Sequence, residues 1–310
     1  TAKQLAQKHS LAENVVKPIL YRPFDKNYIV YDDSVVTRSR KEVMQHLWLG
    51  ENLGLITVRR MLRDRPCNYF MVTDQIIING VIRSDNQSID SLFPLYLYPS
   101  KSDEFINGNG NGNGRKKAIE RKPNFSDEFI TELETRLNLS FISEGRGDFE
   151  KTISALDVFH YIYAVFHSPT YRTRYAEFLK MDFPRLPLTQ NSLLFKQLSE
   201  LGEQLVSIHL MNAHLESDYC FPIKSSNVVE KIEYKNNRVY INKTQYFDNV
   251  ELNVWEFHIG GYQVCQKWLK DRKGRMLDYD DCKHYLYILA ALKQTQMLMQ
   301  QVEDILIFPV

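Results

Sequence analysis

The chain is poor in cysteine, nearly balanced in charge and without a long apolar run, and each shortage removes a class of protein. Its four cysteines, Cys67, Cys220, Cys265 and Cys282, form no C-x-x-C pair, which argues against a zinc site and against the disulfide framework of a secreted domain. They read as reduced thiols, and a cytoplasmic location is expected. Lys+Arg 39 against Asp+Glu 38 leaves a formal +1, so affinity for a polyanion has to come from local clusters rather than global charge. No apolar stretch approaches the ~18–20 residues that span a bilayer, and no membrane partner is expected. The N-terminal TAKQLAQKHS has neither a signal-peptide apolar region nor a starting Met, as expected of a piece of something longer.

Catalytic signatures are also scarce. The eight histidines contain no H-E-x-x-H pair, no serine sits in a G-x-S-x-G elbow, and no N-P-P-Y or D-P-P-Y tetrapeptide occurs. Glu233 and Lys235 imitate the end of a nuclease carboxylate-lysine motif, but lack a clear Asp partner to help hold an ion. His160 and His167 fall in an apolar helical pattern, where hydrogen-bonded core or surface histidines are expected. No catalytic or metal-binding residue is therefore assigned.

The composition, 44% hydrophobic and 25% charged, is that of a globular protein, and 310 residues suffice for one large or two smaller domains. Residues 1–20 read as a lead-in. Residues 21–190 then combine strand patterns (ILYRPFDKNYIVYDD, LGLITVRR, CNYFMVTDQIIINGVI, SLFPLYLYP) with helical ones (SRKEVMQHLWLGE, DEFITELETRLNL, TISALDVFHYIYAVFHS, SPTYRTRYAEFLKMDF). Ser168-Pro169 has the residues of an N-cap and a first-turn proline, with Tyr171, Tyr175, Phe178 and Leu179 as the expected buried stripe. Asn107–Gly114, NGNGNGNG, offers no side chain for a core and is expected to be a mobile surface loop. Residues 191–310 predict a helix of about six turns over LLFKQLSELGEQLVSIHLMNAHL, a hairpin at Asn236-Asn237, a helix from about Tyr262 and a long closing helix. The fold class is mixed α/β or α+β, with long amphipathic helices behind a sheet-containing front.

Basic clusters are the strongest chemical signal. Arg38, Arg40 and Lys41 open the first helix; Arg59, Arg60, Arg63 and Arg65 leave a strand for a loop; Arg172 and Arg174 lie in the first turns of the SPTYRTRY pattern. Arginine reads guanine O6 and N7 bidentately and also holds phosphates, so these are the base- or groove-facing candidates. Lys267, Lys270, Arg272, Lys273 and Arg275, with Gln263, are the phosphate candidates, on the polar side and end of a helix whose other side carries Val264, Cys265, Trp268 and Leu269. Gly260-Gly261 before them has neither the Walker spacing nor G-x-G-x-x-G, and reads as a strand-to-helix corner. A solvated helix end is the competing explanation of that cationic group.

Several of these segments together resemble a known family. YRPFD at Tyr21–Asp25 with its following IVYDD, FPLYLYP at Phe93–Pro99, YIYAVFHSPTYRTRYAEFLKMDFPRLPL at Tyr161–Leu188, and GGYQVCQKWLKDRKGR at Gly260–Arg275 look like the C-terminal specificity region of Type ISP restriction-modification enzymes. FPRLPLTQNSLLFKQL is similar to the proline-marked approach to the spacer helix of Type I specificity subunits. The resemblance implies a target recognition domain for double-stranded DNA, last in a polypeptide that also carries a nuclease, a helicase-like ATPase and an adenine-N6 methyltransferase. It further implies that S-adenosylmethionine, ATP and Mg serve the upstream domains and that this chain carries no cofactor. A non-catalytic docking module for those domains is the alternative.

Overall fold

In the computed structural model, residues 15–85, 89–99, 121–216 and 218–306 are described. Most of the lead-in and the whole NGNGNGNG segment lie outside them. The front of the chain is built from two three-stranded sheets. Strand β1 (Val16–Arg22) pairs antiparallel with β2 (Asp25–Val30), while β3 (Gly54–Val58) pairs antiparallel with β4 (Met71–Thr73). Strand β5 (Ile76–Ile77) follows β4 after a tight turn and joins the first sheet parallel to β1; β6 (Asp90–Pro94) closes the second against β3. The long strands expected over CNYFMVTDQIIINGVI are thus two short ones, because the chain changes sheets at Asp74-Gln75.

The longer helices follow, with small strand pairs between them: α1 (Asp127–Leu137), α2 (Ala155–His167), α3 (Ser192–His209), α4 (Val264–Lys270) and α5 (Tyr279–Ile305). Their starts are chemically explicit. Ser154 and Asp157 form a reciprocal capping box before α2, and Asp278 with Asp281 does the same for α5. Ser168 Oγ accepts from Tyr171 N ahead of Pro169, as the sequence suggested. That segment is two short helices, Pro169–Arg174 and Ala176–Leu179, rather than one. The break at Tyr175 turns Phe178 outward, 62% exposed, while Tyr171 and Leu179 remain buried and Tyr175 is half-buried. Helix α3 is about five turns long, not six; Met211, just beyond its end, has φ 67°.

Helices α2 and α3 touch backbone to backbone. A Cβ placed on Gly202 would lie 1.9 Å from the His160 carbonyl oxygen, so only glycine permits the approach. The crossing buries almost every face of α2, from Val158 to Phe166, in a core that residues on both sides of position 190 fill together. The polar side chains drawn in with it are largely paired. His167 Nδ1–H donates to Tyr163 O at 2.7 Å. Thr295 Oγ1 donates to Ala291 O, so His209 donates from Nε2 to Thr295 Oγ1 at 2.9 Å and accepts Tyr163 O–H on Nδ1 at 2.6 Å. This chain of bonds ties α2, α3 and α5 together through neutral imidazole. Burial pushes the His160 imidazole down to about 4 and that of His209 down to about 3.

Two expectations follow. Gly202→Ala should destabilise the fold by about 1–3 kcal/mol or more through overpacking, read as a lowered urea midpoint with the m-value retained. Because the two histidines resist protonation until well below the unfolded value of about 6.5, the unfolded chain binds more protons in that interval. Stability should therefore fall as pH drops below about 6.5, by up to about 1.4 kcal/mol per pH unit for each histidine, and level off near their folded values. His209→Gln, which cannot protonate, should remove its share of that slope in a pH series of urea melts.

Candidate nucleic-acid interface

The arginine-rich segment leaves β3 at Arg59, turns inward at the buried Met61 and half-buried Leu62, and runs exposed from Arg63 to Pro66 before burying Cys67, Asn68, Tyr69 and Phe70 on its way into β4. Its two ends are fastened to different parts of the chain. On one side Met61 N donates to Leu179 O at 3.0 Å, and Arg59 Nε pairs with Asp182 at 2.9 Å. On the other, Asn68 Nδ2 donates to His258 O at 2.7 Å and Gly260 N donates to Asn68 O at 3.0 Å. Arg59, Arg60, Arg63 and Arg65 are all exposed between these anchors, with Arg65 Nη1 reaching the Gly261 carbonyl at 3.4 Å.

Gly260-Gly261 is a hairpin turn and not the expected strand-to-helix corner. His258–Ile259 pairs antiparallel with Tyr262–Gln263, and α4 begins only at Val264. The glycines are required by contact: Gly260 has φ +58°, and a Cβ on it would lie 2.0 Å from Ile82 O. Gly261 N donates to that same carbonyl at 2.8 Å, and Tyr262 O–H donates to Gly80 O at 3.0 Å. The hairpin is therefore seated on the turn at residues 80–84, beside the arginine segment. Asp90, opposite Val58 at the end of β6, also faces this turn. Burial pushes its carboxyl up to about 6, against the opposing pull of the Val81, Ile82 and Gly80 N–H groups and of Arg22.

The basic residues thus separate by environment. Arg172 is turned inward: its Nε donates to Phe166 O at 2.7 Å, its guanidinium lies 5.5 Å from the Phe70 ring centre, and burial lowers its pKa to about 10. Arg174, in the same helix, is exposed. Arg272 is also held inside, gripping Asp25 through both Nη atoms at 3.1 Å and lying 3.5 Å from the Trp268 ring centre, with Asp281 3.6 Å from its Nε. Lys267 pairs with Asp271 and lies near the rings of Tyr21 and Tyr262; Gln263 donates to Trp255 O at 2.7 Å. Lys270, Lys273 and Arg275 are exposed, the last paired with Asp281 at 2.7 Å. Arg38, Arg40 and Lys41 are exposed beside Asp33 and Glu42, with Arg38 and Arg40 at positive φ. The structure brings the Arg59–Arg65 segment together with the glycine hairpin and with Leu179 and Asp182, at the end of the short helix that follows the helix of Arg174. Nothing in the local sequence marked Asn68 as a tether or the Asp25 of YRPFD as an ion-pair partner, because their partners lie 190 and 247 residues away.

Glu233 and Lys235 sit on an exposed strand of the Asn236-Asn237 hairpin, whose two asparagines have φ 51° and 56°, and Glu233 pairs with Lys231 at 2.5 Å. Among the described residues no group of three or more His, Cys, Asp or Glu side chains is placed to hold a metal, and no helix is long and apolar enough to cross a membrane.

The profile of the Type ISP C-terminal specificity domain matches residues 1–301. The chain belongs to that family. Solved structures carry the same fold at low identity. The specificity domain resembles the ATP-dependent Type ISP restriction-modification enzyme LlaBIII bound to DNA, at 18% identity and TM-score 0.66, over 99% of this chain and 19% of that one. It also resembles a nuclease-deletion mutant of the Type ISP enzyme LlaGI in complex with a DNA substrate mimic, at 19% identity and TM-score 0.63, covering 97% of this chain and 25% of that one. A DrdV–DNA complex matches at 19% identity and TM-score 0.66, over 99% of this chain and 30% of that one. The specificity domain thus spans under a third of the length of each. No curated protein matches it.

The two kinds of cation give opposite expectations for stability. Arg272→Ala in the specificity domain should cost about 3–5 kcal/mol, because it strands the buried Asp25 carboxylate. Lys273→Ala, at an exposed site, should change stability by no more than about 0.5 kcal/mol. Paired urea titrations of the two variants measure the contrast.

Proposed function

We propose that this specificity domain recognises a double-stranded DNA sequence on behalf of a restriction-modification enzyme, and that it catalyses nothing by itself. The observation that carries this reading is the exposed arginine segment fastened at both ends to rigid structure, which suits groove recognition because phosphate and base contacts require a preset register. Relatives of the same fold bound to DNA support it. Arg63 and Arg65, flanked by Arg59 and Arg60, are assigned to base edges or the groove. Arg174 is an added groove contact at its edge. Lys270, Lys273 and Arg275, with Arg38, Arg40 and Lys41, are assigned to phosphates. Lys267, Arg272, Arg172 and Gln263 act by holding these surfaces in place.

In this reading an upstream methyltransferase modifies adenine with S-adenosylmethionine, on a base taken out of the stack, while ATP and Mg serve helicase and nuclease domains of the same cytoplasmic polypeptide. A docking role toward those domains is compatible, favoured by an apolar groove of about 430 Å³ lined by Phe93, Phe125, Phe129, Phe183 and Leu186.

The reading predicts that the chain binds duplex DNA with affinity that falls steeply with salt, since each neutralised phosphate releases counterions. Arg63→Ala should cost about 1–3 kcal/mol on the selected site and relax the preference at one position. Lys270→Ala should weaken all duplexes alike and reduce the salt slope by about one. Anisotropy titrations on selected and scrambled duplexes separate the two roles. No binding at low salt would leave docking as the function.

A further inference from the structure

Asn68 ends the arginine segment and is 9% exposed, too buried to reach a ligand at the surface. Its amide nevertheless makes a bond out of proportion to its place in the sequence, donating from Nδ2 to the carbonyl of His258 at 2.7 Å. Its own backbone carbonyl accepts from Gly260 N at 3.0 Å, while its N–H donates to Pro66 O at 2.9 Å and turns the chain back toward the arginines. One residue therefore grips the first limb of the glycine hairpin at His258, its turn at Gly260 and the root of the arginine segment. Ile82 O, accepting from Gly261 N, holds the hairpin from the other side. Asn68 Oδ1 is buried with no hydrogen-bond partner, so the amide is retained in spite of a desolvated acceptor rather than because all its bonds are met.

We infer that Asn68 is a positioning residue for sequence discrimination, one that fixes the exposed arginines relative to the glycine hairpin without touching DNA; the inference rests on the proposed recognition function. The argument is geometric. A bidentate arginine–guanine contact tolerates little displacement, so an error at the root of the segment is lost as discrimination. Phosphate contacts by mobile lysines and arginines elsewhere tolerate the same displacement, so affinity for an arbitrary duplex should survive.

The test begins by selecting the preferred site from a random duplex pool with the full chain, then comparing that site with a scrambled duplex. In Asn68→Ala, and in the isosteric Asn68→Asp, which lacks the N–H donor, the selected-to-scrambled affinity ratio should fall about tenfold, as for one lost base contact. Affinity for the scrambled duplex should stay within about twofold and its salt slope should be unchanged. Gly260→Ala provides an independent route that leaves the Asn68 side chain in place, because at φ +58° its Cβ would lie 2.0 Å from the Ile82 backbone oxygen and press the hairpin aside; it should lower the ratio in the same way. An unchanged ratio in folded Asn68 variants overturns the positioning role and leaves recognition intact, as does a parallel fall on both duplexes, which marks general destabilisation. A wild-type chain that binds duplex but selects no sequence overturns both. If the Asn68 variants do not fold, an unchanged ratio in Gly260→Ala overturns the role.

Discussion

The approach of the His160 carbonyl to Gly202, which leaves no room for a Cβ, sets the spacing on which the surrounding structure depends. With α2 and α3 in backbone contact, His209 can bridge Tyr163 and Thr295, and α5 is fixed by the same bonds. On the opposite side of α2, Phe166 stacks on Phe70 with ring centres 4.7 Å apart, which anchors the segment that has just left the arginine loop. Arg172 then covers Phe70 and bonds back to Phe166 O. A side chain larger than hydrogen at residue 202 would move all of these partners, because a packed core transmits displacement.

Local signals in the sequence were reliable where local chemistry decides. The cap at Ser168-Pro169, the Asn236-Asn237 turn and the long closing helix could each be read within a few residues, since caps, positive-φ turns and apolar period act at that range. Type ISP membership was legible from longer motifs such as YRPFD and GGYQV, and the family profile agrees. The glycine pair was misread because its cause is distant: Ile82 and Asn68 demand a close backbone approach, and neither is nearby in sequence. The same applies to Phe178, whose helical spacing pointed inward until the break at Tyr175 turned it out.

Cations show most clearly what a linear pattern omits. Lys267, Lys270, Arg272, Lys273 and Arg275 look alike as a run, yet Asp25 and Trp268 take Arg272 out of solvent while Lys273 stays in it. The distinction is set by which acid the fold brings near, and an arginine in the turn just after a short helix can stack and pair at once where lysine would do only one. A surface that reads as a uniform basic patch in the sequence is therefore partly scaffold.

The grip of Arg272 on Asp25 also imposes an order in time. The two residues are 247 positions apart, so at ordinary synthesis rates of about 5–20 residues per second Asp25 emerges roughly 12–50 seconds before its partner exists. Throughout that interval the strand carrying YRPFD cannot reach its final burial without leaving a carboxylate desolvated and unpaired. The front sheet must then remain open, or sheltered by other parts of the nascent chain, until α4 and the residues after it arrive.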